Sequence, residues 1–220
     1  MKTPIEYIKE AWGIYTKKEN FIFFAKIMAV LVILGAAISF VTSYFYPADY
    51  LQNADYSNTP IVIGFIVLSL TSAVIGIWSL TTQYYSILKM GSSEKEVFKL
   101  GYKNMWRFLL ISLVVGLIVL GGTILLIIPA IIFGVWYSLS TFLVLDKNMR
   151  IREALKTSKL MVKDKFWKVL GRFVAFGLFS IIVSVFLSII PYAGSLLLSF
   201  IAPLFLLPTY LLYRDLSVNN

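Results

Sequence analysis

Runs of about twenty apolar residues alternate along this chain with short segments that hold its charges. The hydrocarbon core of a bilayer accepts about 20 apolar residues of helix. Residues 21–46, 60–88, 173–190 and 195–213 each fit that template once. From Phe108 to Leu145 the chain runs 38 residues without a charge. As one helix, at about 1.5 Å per residue, this stretch would measure about 57 Å, nearly twice the roughly 30 Å core. It must therefore turn once, and Gly121, Gly122 and Pro129 mark the place. That gives spans at 108–124 and 128–145, while a tight turn at Pro191-Tyr192-Ala193-Gly194 separates the last two. The pattern predicts an all-α, polytopic transmembrane bundle of six spans, a single integral membrane domain over residues 1–220.

The segments between spans have helical periodicity of their own. Thr3-Pro4-Ile5-Glu6 reads as a capping box with proline at the first helical position. The helix it opens, over 4–18, sets Ile5, Ile8, Ala11, Trp12 and Tyr15 on one face and Glu6, Lys9, Glu10 and Lys17 on the other. Ser93 with Glu96 reads as a second box, ahead of Val97, Phe98, Gly101, Tyr102 and Met105. Ile151, Ala154, Leu155, Ser158 and Met161 form a third apolar face, with Asn148 as the expected cap. Basic and aromatic residues follow each helix, at 17–21, 103–108 and 163–167. The expected architecture is three copies of an interfacial helix followed by a hairpin, each amphipathic helix lying in the headgroup plane.

Charge supplies the orientation. The chain has 20 Lys and Arg. Five lie before or at the opening of the first span, five between the second and third, nine between the fourth and fifth, and one after the sixth. The opposite loops carry only Asp49 and Asp55. Six spans put every basic residue on one side, which the positive-inside rule makes cytosolic, with both termini there. Five spans would scatter them. The expected location is the cell membrane, and residues 1–20 are expected to be retained, because they mix Lys and Glu and the apolar run that follows is too long for a signal peptide.

Composition narrows the chemistry. Hydrophobic residues make up 59% of the chain and charged ones 14%, against roughly 45–50% and about 25% in ordinary globular domains. There is neither cysteine nor histidine, so thiol nucleophiles and the commonest general base and metal ligand are missing. No nucleotide-binding loop or other cofactor motif is present, and no cofactor is expected. No ionisable residue sits at mid-span, where ion-coupled carriers keep theirs. A net charge of +9 that follows the membrane topology does not indicate a nucleic-acid partner.

A few residues stand out against this background. Lys163, Lys165, Lys168 and Arg172 form the densest basic cluster, and Lys168 and Arg172 share a helix face at the edge of the fifth span. They suit an anionic lipid headgroup, or serve topology and diffuse attraction alone. Gly35, Ser39 and Ser43, and Ser180, Ser184 and Ser188, form stripes of small residues that suit close packing inside the bundle or a contact with a second copy. Pro203 and Pro208 each remove a backbone donor from the sixth span, a kink or a hinge.

The stretch Ala11-Trp12 through Asn20-Phe21, with Ile128-Pro129, Tyr137-Ser138, Val144-Leu145-Asp146, Ala154, Ser158 and Phe166-Trp167, resembles a broad prokaryotic group of six-pass proteins. That group includes the membrane domain attached to some glycerophosphoryl diester phosphodiesterases. A small residue, often glycine, follows the proline in the group; here it is Ala130. The resemblance implies the membrane domain without its catalytic partner, since the phosphodiesterase chemistry belongs to a separate soluble barrel that uses histidines and metal-binding carboxylates. The expected function is a non-catalytic multi-pass protein that associates with lipid or partners another membrane protein. The alternative is a passive transporter or channel for a small or amphiphilic solute. Expected partners are lipids with anionic headgroups on the cytosolic side, a membrane protein, or a second copy of this chain.

Overall fold

Thr3 accepts a hydrogen bond from the Glu6 amide at 3.3 Å, and Glu6 Oε2 accepts from the Thr3 amide at 2.7 Å, so the expected capping box opens the first helix. In this computed structural model the described residues are 1–46, 59–190 and 193–218. They form helices α1 (Pro4–Thr16), α2 (Lys18–Phe45), α3 (Thr59–Leu88), α4 (Glu94–Leu125), α5 (Ile127–Tyr137), α6 (Ser140–Asp146), α7 (Ile151–Lys163), α8 (Phe166–Ser188) and α9 (Ala193–Val218). Six helical units are long and apolar enough to cross a membrane: α2, α3, α4, α5 with α6, α8 and α9. The chain is an all-α helical membrane protein. Asp49, Asp55 and the Pro191-Tyr192 half of the last expected turn lie outside the described residues.

The long uncharged run turns at Leu126, whose extended backbone (φ −176°, ψ 157°) separates α4 from α5. Gly122 permits the turn. A β-carbon there would lie 2.9 Å from both the Cα and the amide nitrogen of Ala130, so the two helices meet backbone to backbone.

The second half of that run breaks again, which the sequence reading did not anticipate. Between α5 and α6 the helix is interrupted at Ser138 and Leu139. A broken helix strands carbonyls, and in an apolar setting each needs a donor. Three serines supply them. Ser138 Oγ donates to Val135 O at 2.8 Å, Ser140 Oγ to Tyr137 O at 2.5 Å, and Ser158 Oγ, from α7, to Trp136 O at 2.7 Å. Ser140 and Ser158 are fully buried.

The three expected repeats differ at their junctions. α1 and α2 separate at Lys17 (ψ 127°), where Asn20 Nδ2 donates to Ile14 O at 2.8 Å. α7 and α8 separate at Asp164 and Lys165. The middle unit has no break: α4 runs from Glu94 into its span as one helix. At Gly101 this helix packs closely on α3, where a β-carbon would sit 3.1 Å from Thr82 Cα. Ser93 caps α4 through the Glu96 amide at 3.3 Å. Asn148 does not cap α7. The cap position is Arg150, with no side-chain hydrogen bond, and Asn148 instead takes a left-handed conformation (φ 54°) that turns the chain two residues earlier.

Burial is concentrated at the basic end of the bundle. Phe24, Ile27 and Met28 on α2, Ile87 on α3, Ile111 on α4, Leu139 and Phe142 to Leu145, and Leu204, Leu207, Leu211 to Tyr213 and Leu216 on α9 supply the core there. Toward the opposite end, Ile33, Phe40, Leu70, Leu120, Ile181 and Phe186 are exposed. Apolar burial gains little inside hydrocarbon, where lipid tails compete equally, but gains fully where water reaches. The amphipathic helices α1 and α7 pack across this end, α1 on α8 and α9 and α7 on α5 and α6.

Candidate functional site

α1 packs across that end through a face the periodicity had divided differently. Tyr7, Ala11 and Tyr15 are buried against α8 and α9, whereas Ile5 and Trp12 are exposed. Tyr7 Oη donates to Asp215 Oδ2 at 2.7 Å, and Tyr15 Oη to Phe200 O at 3.1 Å. The second bond meets α9 in the turn before Pro203. α9 itself runs unbroken through Pro203 and Pro208, both buried. Glu10 adds ion pairs to Lys2 at 2.6 Å and to Arg214 at 3.4 Å. Burial and the Asp215 bond push the Tyr7 hydroxyl up to about 12, and the Glu10 hydrogen bond raises Lys2 above the ordinary lysine value.

Beside this dock, Lys165, Lys168, Arg172 and Met1 line an open pocket of about 520 Å³. Three of the four residues of the basic cluster thus come together. Lys163, at the C-terminal end of α7, is exposed and is not among the residues lining it. The three play unequal parts. Arg172 spends its donors on the protein: Nε reaches Lys2 O at 3.0 Å, a terminal nitrogen also meets Lys2 O, and the other reaches Lys168 O at 2.6 Å. Its guanidinium also stands over the Tyr7 ring, 5.9 Å from the centroid. Arg172 thus holds the N-terminal segment on α8 and lends its charge to the pocket, while the Lys165 and Lys168 ammonium groups form no ion pair among the described residues. Trp167, between them in sequence, is 79% exposed. An exposed tryptophan beside lysines suits headgroup depth.

The small-residue stripe of α2 does not pack as expected. Nothing lies within 4 Å of a β-carbon built on Gly35. Gly35 and Ser39 instead face a cleft of about 560 Å³ between α2, α3 and α9, with Ser79 and Gln83 on one wall and Ser195 and Ser199 on another. On α8, Ser180 and Ser188 bond carbonyls of their own helix. Among the described residues, no three His, Cys, Asp or Glu side chains gather as a metal site would require.

Sequence reasoning missed Tyr7 and Asp215, because a tyrosine and an aspartate 208 positions apart carry no local signal. Comparison with known proteins returns no matching family model, no matching curated protein and no matching solved structure, so a functional reading stands on the geometry alone.

Proposed function

We propose that this is a non-catalytic multi-pass protein of the cell membrane, with both termini in the cytosol, that binds anionic lipid headgroups at the basic end of α8. The observation that carries this reading is the open pocket at Lys165 and Lys168, whose ammonium groups flank an arginine already fixed by backbone carbonyls. A headgroup phosphate there meets two mobile donors and one immobile charge, with the exposed Trp167 beside them suited to headgroup depth. The orientation is supported by the placement of all 20 basic residues on one side of six spans, and by the Tyr7–Asp215 bond, which brings the two ends of the chain together.

Two measurements test it. Native mass spectrometry should show that Lys165→Gln with Lys168→Gln loses bound phosphatidylglycerol, while Arg150→Gln with Arg152→Gln, the same charge change, retains it. Equal retention would reduce the cluster to a topology signal. Single cysteines at Gln52 and Thr157 face no native thiol background. An impermeant maleimide on intact cells should label position 52 alone, and labelling of 157 would reverse the orientation.

A second reading, passive movement of an amphiphile, is favoured by the cleft between α2, α3 and α9, whose hydroxyls and Gln83 amide offer polar contacts at membrane depth. Scrambling of fluorescent phospholipid in proteoliposomes, abolished by Gln83→Leu with Ser79→Leu, would support it. Absence of scrambling by the unaltered protein would remove it.

A further inference from the structure

The loop side of the α3–α4 hairpin holds a second basic concavity, apart from the α8 site. Lys89 from the end of α3, Lys103 and Arg107 from one face of α4, Asn104, Asn148 and Tyr85 line a pocket of about 490 Å³. Asp146 also lines it, but its Oδ2 accepts a hydrogen bond from Tyr213 at 2.7 Å. The ion pairs found among the described residues involve Lys2, Lys26 and Arg214, so none of these three cations is held in an ion pair there, although the Asp146 carboxylate shares the pocket. Positive-inside bias explains why they lie on this side of the membrane. It does not explain why two helices and the α6–α7 loop bring them around one cavity with two amides and a phenol.

The surrounding structure is built to hold this shape. Tyr85 is buried, and its hydroxyl donates to Leu145 O at 3.2 Å, tying α3 to α6 beneath the pocket. Asn104 Nδ2 donates to Leu100 O at 3.1 Å, and the same side chain meets the Tyr85 hydroxyl, which fixes the amide in the pocket wall. Asn148 reaches the pocket through its left-handed backbone (φ 54°), a conformation that asparagine accepts more readily than most residues. Three cations against the one Asp146 carboxylate leave the concavity net positive, and an anion with several acceptor oxygens offsets that excess and takes charge-assisted hydrogen bonds.

We infer that this pocket binds a phosphate group, with Lys89, Lys103 and Arg107 as its cationic donors and Asn104 and Asn148 as neutral partners that recognise what the phosphate carries. The phosphate belongs either to a membrane lipid headgroup or to a soluble phosphate compound. Arg107 stands one residue before Phe108, where the apolar span begins, so both sources can reach it.

The test uses the full chain in nanodiscs. In phosphatidylcholine discs, titration with inorganic phosphate reads the soluble source. In discs with phosphatidic acid, lipid retained on delipidation and counted by native mass spectrometry reads the lipid source. Lys103→Gln with Arg107→Gln should weaken whichever signal the unaltered protein gives by about tenfold or more. Arg152→Gln with Lys156→Gln, which removes two charges from α7 outside both pockets, should change it less than about twofold. Lys89→Gln, at the helix end, repeats the test if the α4 double variant melts early, and Asn104→Ala should weaken binding with no change of charge. Lys165→Gln with Lys168→Gln leaves this site intact, so a loss confined to that variant would support the α8 reading and overturn this one. Equal losses in the α4 and α7 doubles, or no binding of either probe by the unaltered protein, would also overturn it.

Discussion

Tyr7 Oη lies 2.7 Å from Asp215 Oδ2, and this bond fastens the first helix of the chain to the last. Because Tyr7 is fully buried and its partner is a carboxylate, Tyr7→Phe should cost about 2 kcal/mol. The hydroxyl titrates near 10 when free and near 12 in the fold. Its contribution is therefore complete below about pH 10, where both states hold the proton. It fades as pH rises from 10 toward 12, where only the folded state still holds it. Thermal melts in detergent should show stability falling over that window in the unaltered protein and falling less in Tyr7→Phe. Parallel profiles would mean that this bond is not what responds.

Glycines next to each other should behave differently. Gly122→Ala places a methyl group 2.9 Å from Ala130 backbone atoms, which have no rotamer to escape into, and should cost about 1–3 kcal/mol. Gly121→Ala meets nothing within 4 Å and should be neutral or stabilising by a few tenths of a kcal/mol, through helix propensity. Melts of the two variants side by side check this.

Ser158→Ala removes the donor to Trp136 O from a fully buried position. Leaving that carbonyl unpaired should cost about 1–3 kcal/mol. Ser184→Ala on α8, a half-buried position in the other stripe, should cost much less. Hydrogen exchange should rise in α7 for the first variant and stay unchanged for the second.

These residues mark what could be read from the sequence. Span number, the turn near Gly122 and the Thr3 cap follow from local length, charge and spacing, and the fold keeps all three. The α5–α6 break was hidden because no Gly or Pro lies between Val135 and Asp146 to mark it, and the donor that completes it, Ser158, comes from another helix. The α1 face was misjudged for a related reason. In a membrane, Ile5 and Trp12 lose nothing by facing lipid, so hydrophobicity alone does not distinguish a lipid-facing residue from a buried one. The basic cluster was legible as charge. That Arg172 is bound to the Lys2 carbonyl was not, since a contact across 170 positions leaves no periodic trace.

Arg172 allows structure and lipid binding to be separated in one residue. Its planar fork gives Nε and a terminal nitrogen to Lys2 O and the other terminal nitrogen to Lys168 O. Lysine at this position keeps the charge but has a single ammonium and cannot reproduce that geometry. Arg172→Lys should therefore loosen the N-terminal segment, cost about 1–2 kcal/mol, and raise protease cleavage within residues 1–18, while lipid retention changes little. Lys168→Gln should do the opposite, lowering retention of phosphatidylglycerol and leaving the N-terminal segment protected. Limited proteolysis and native mass spectrometry on the same two preparations read both effects. If Arg172→Lys lost lipid as fully as Lys168→Gln while its N-terminus stayed protected, the arginine would be a direct phosphate ligand and not the clamp that the Lys2 contact implies.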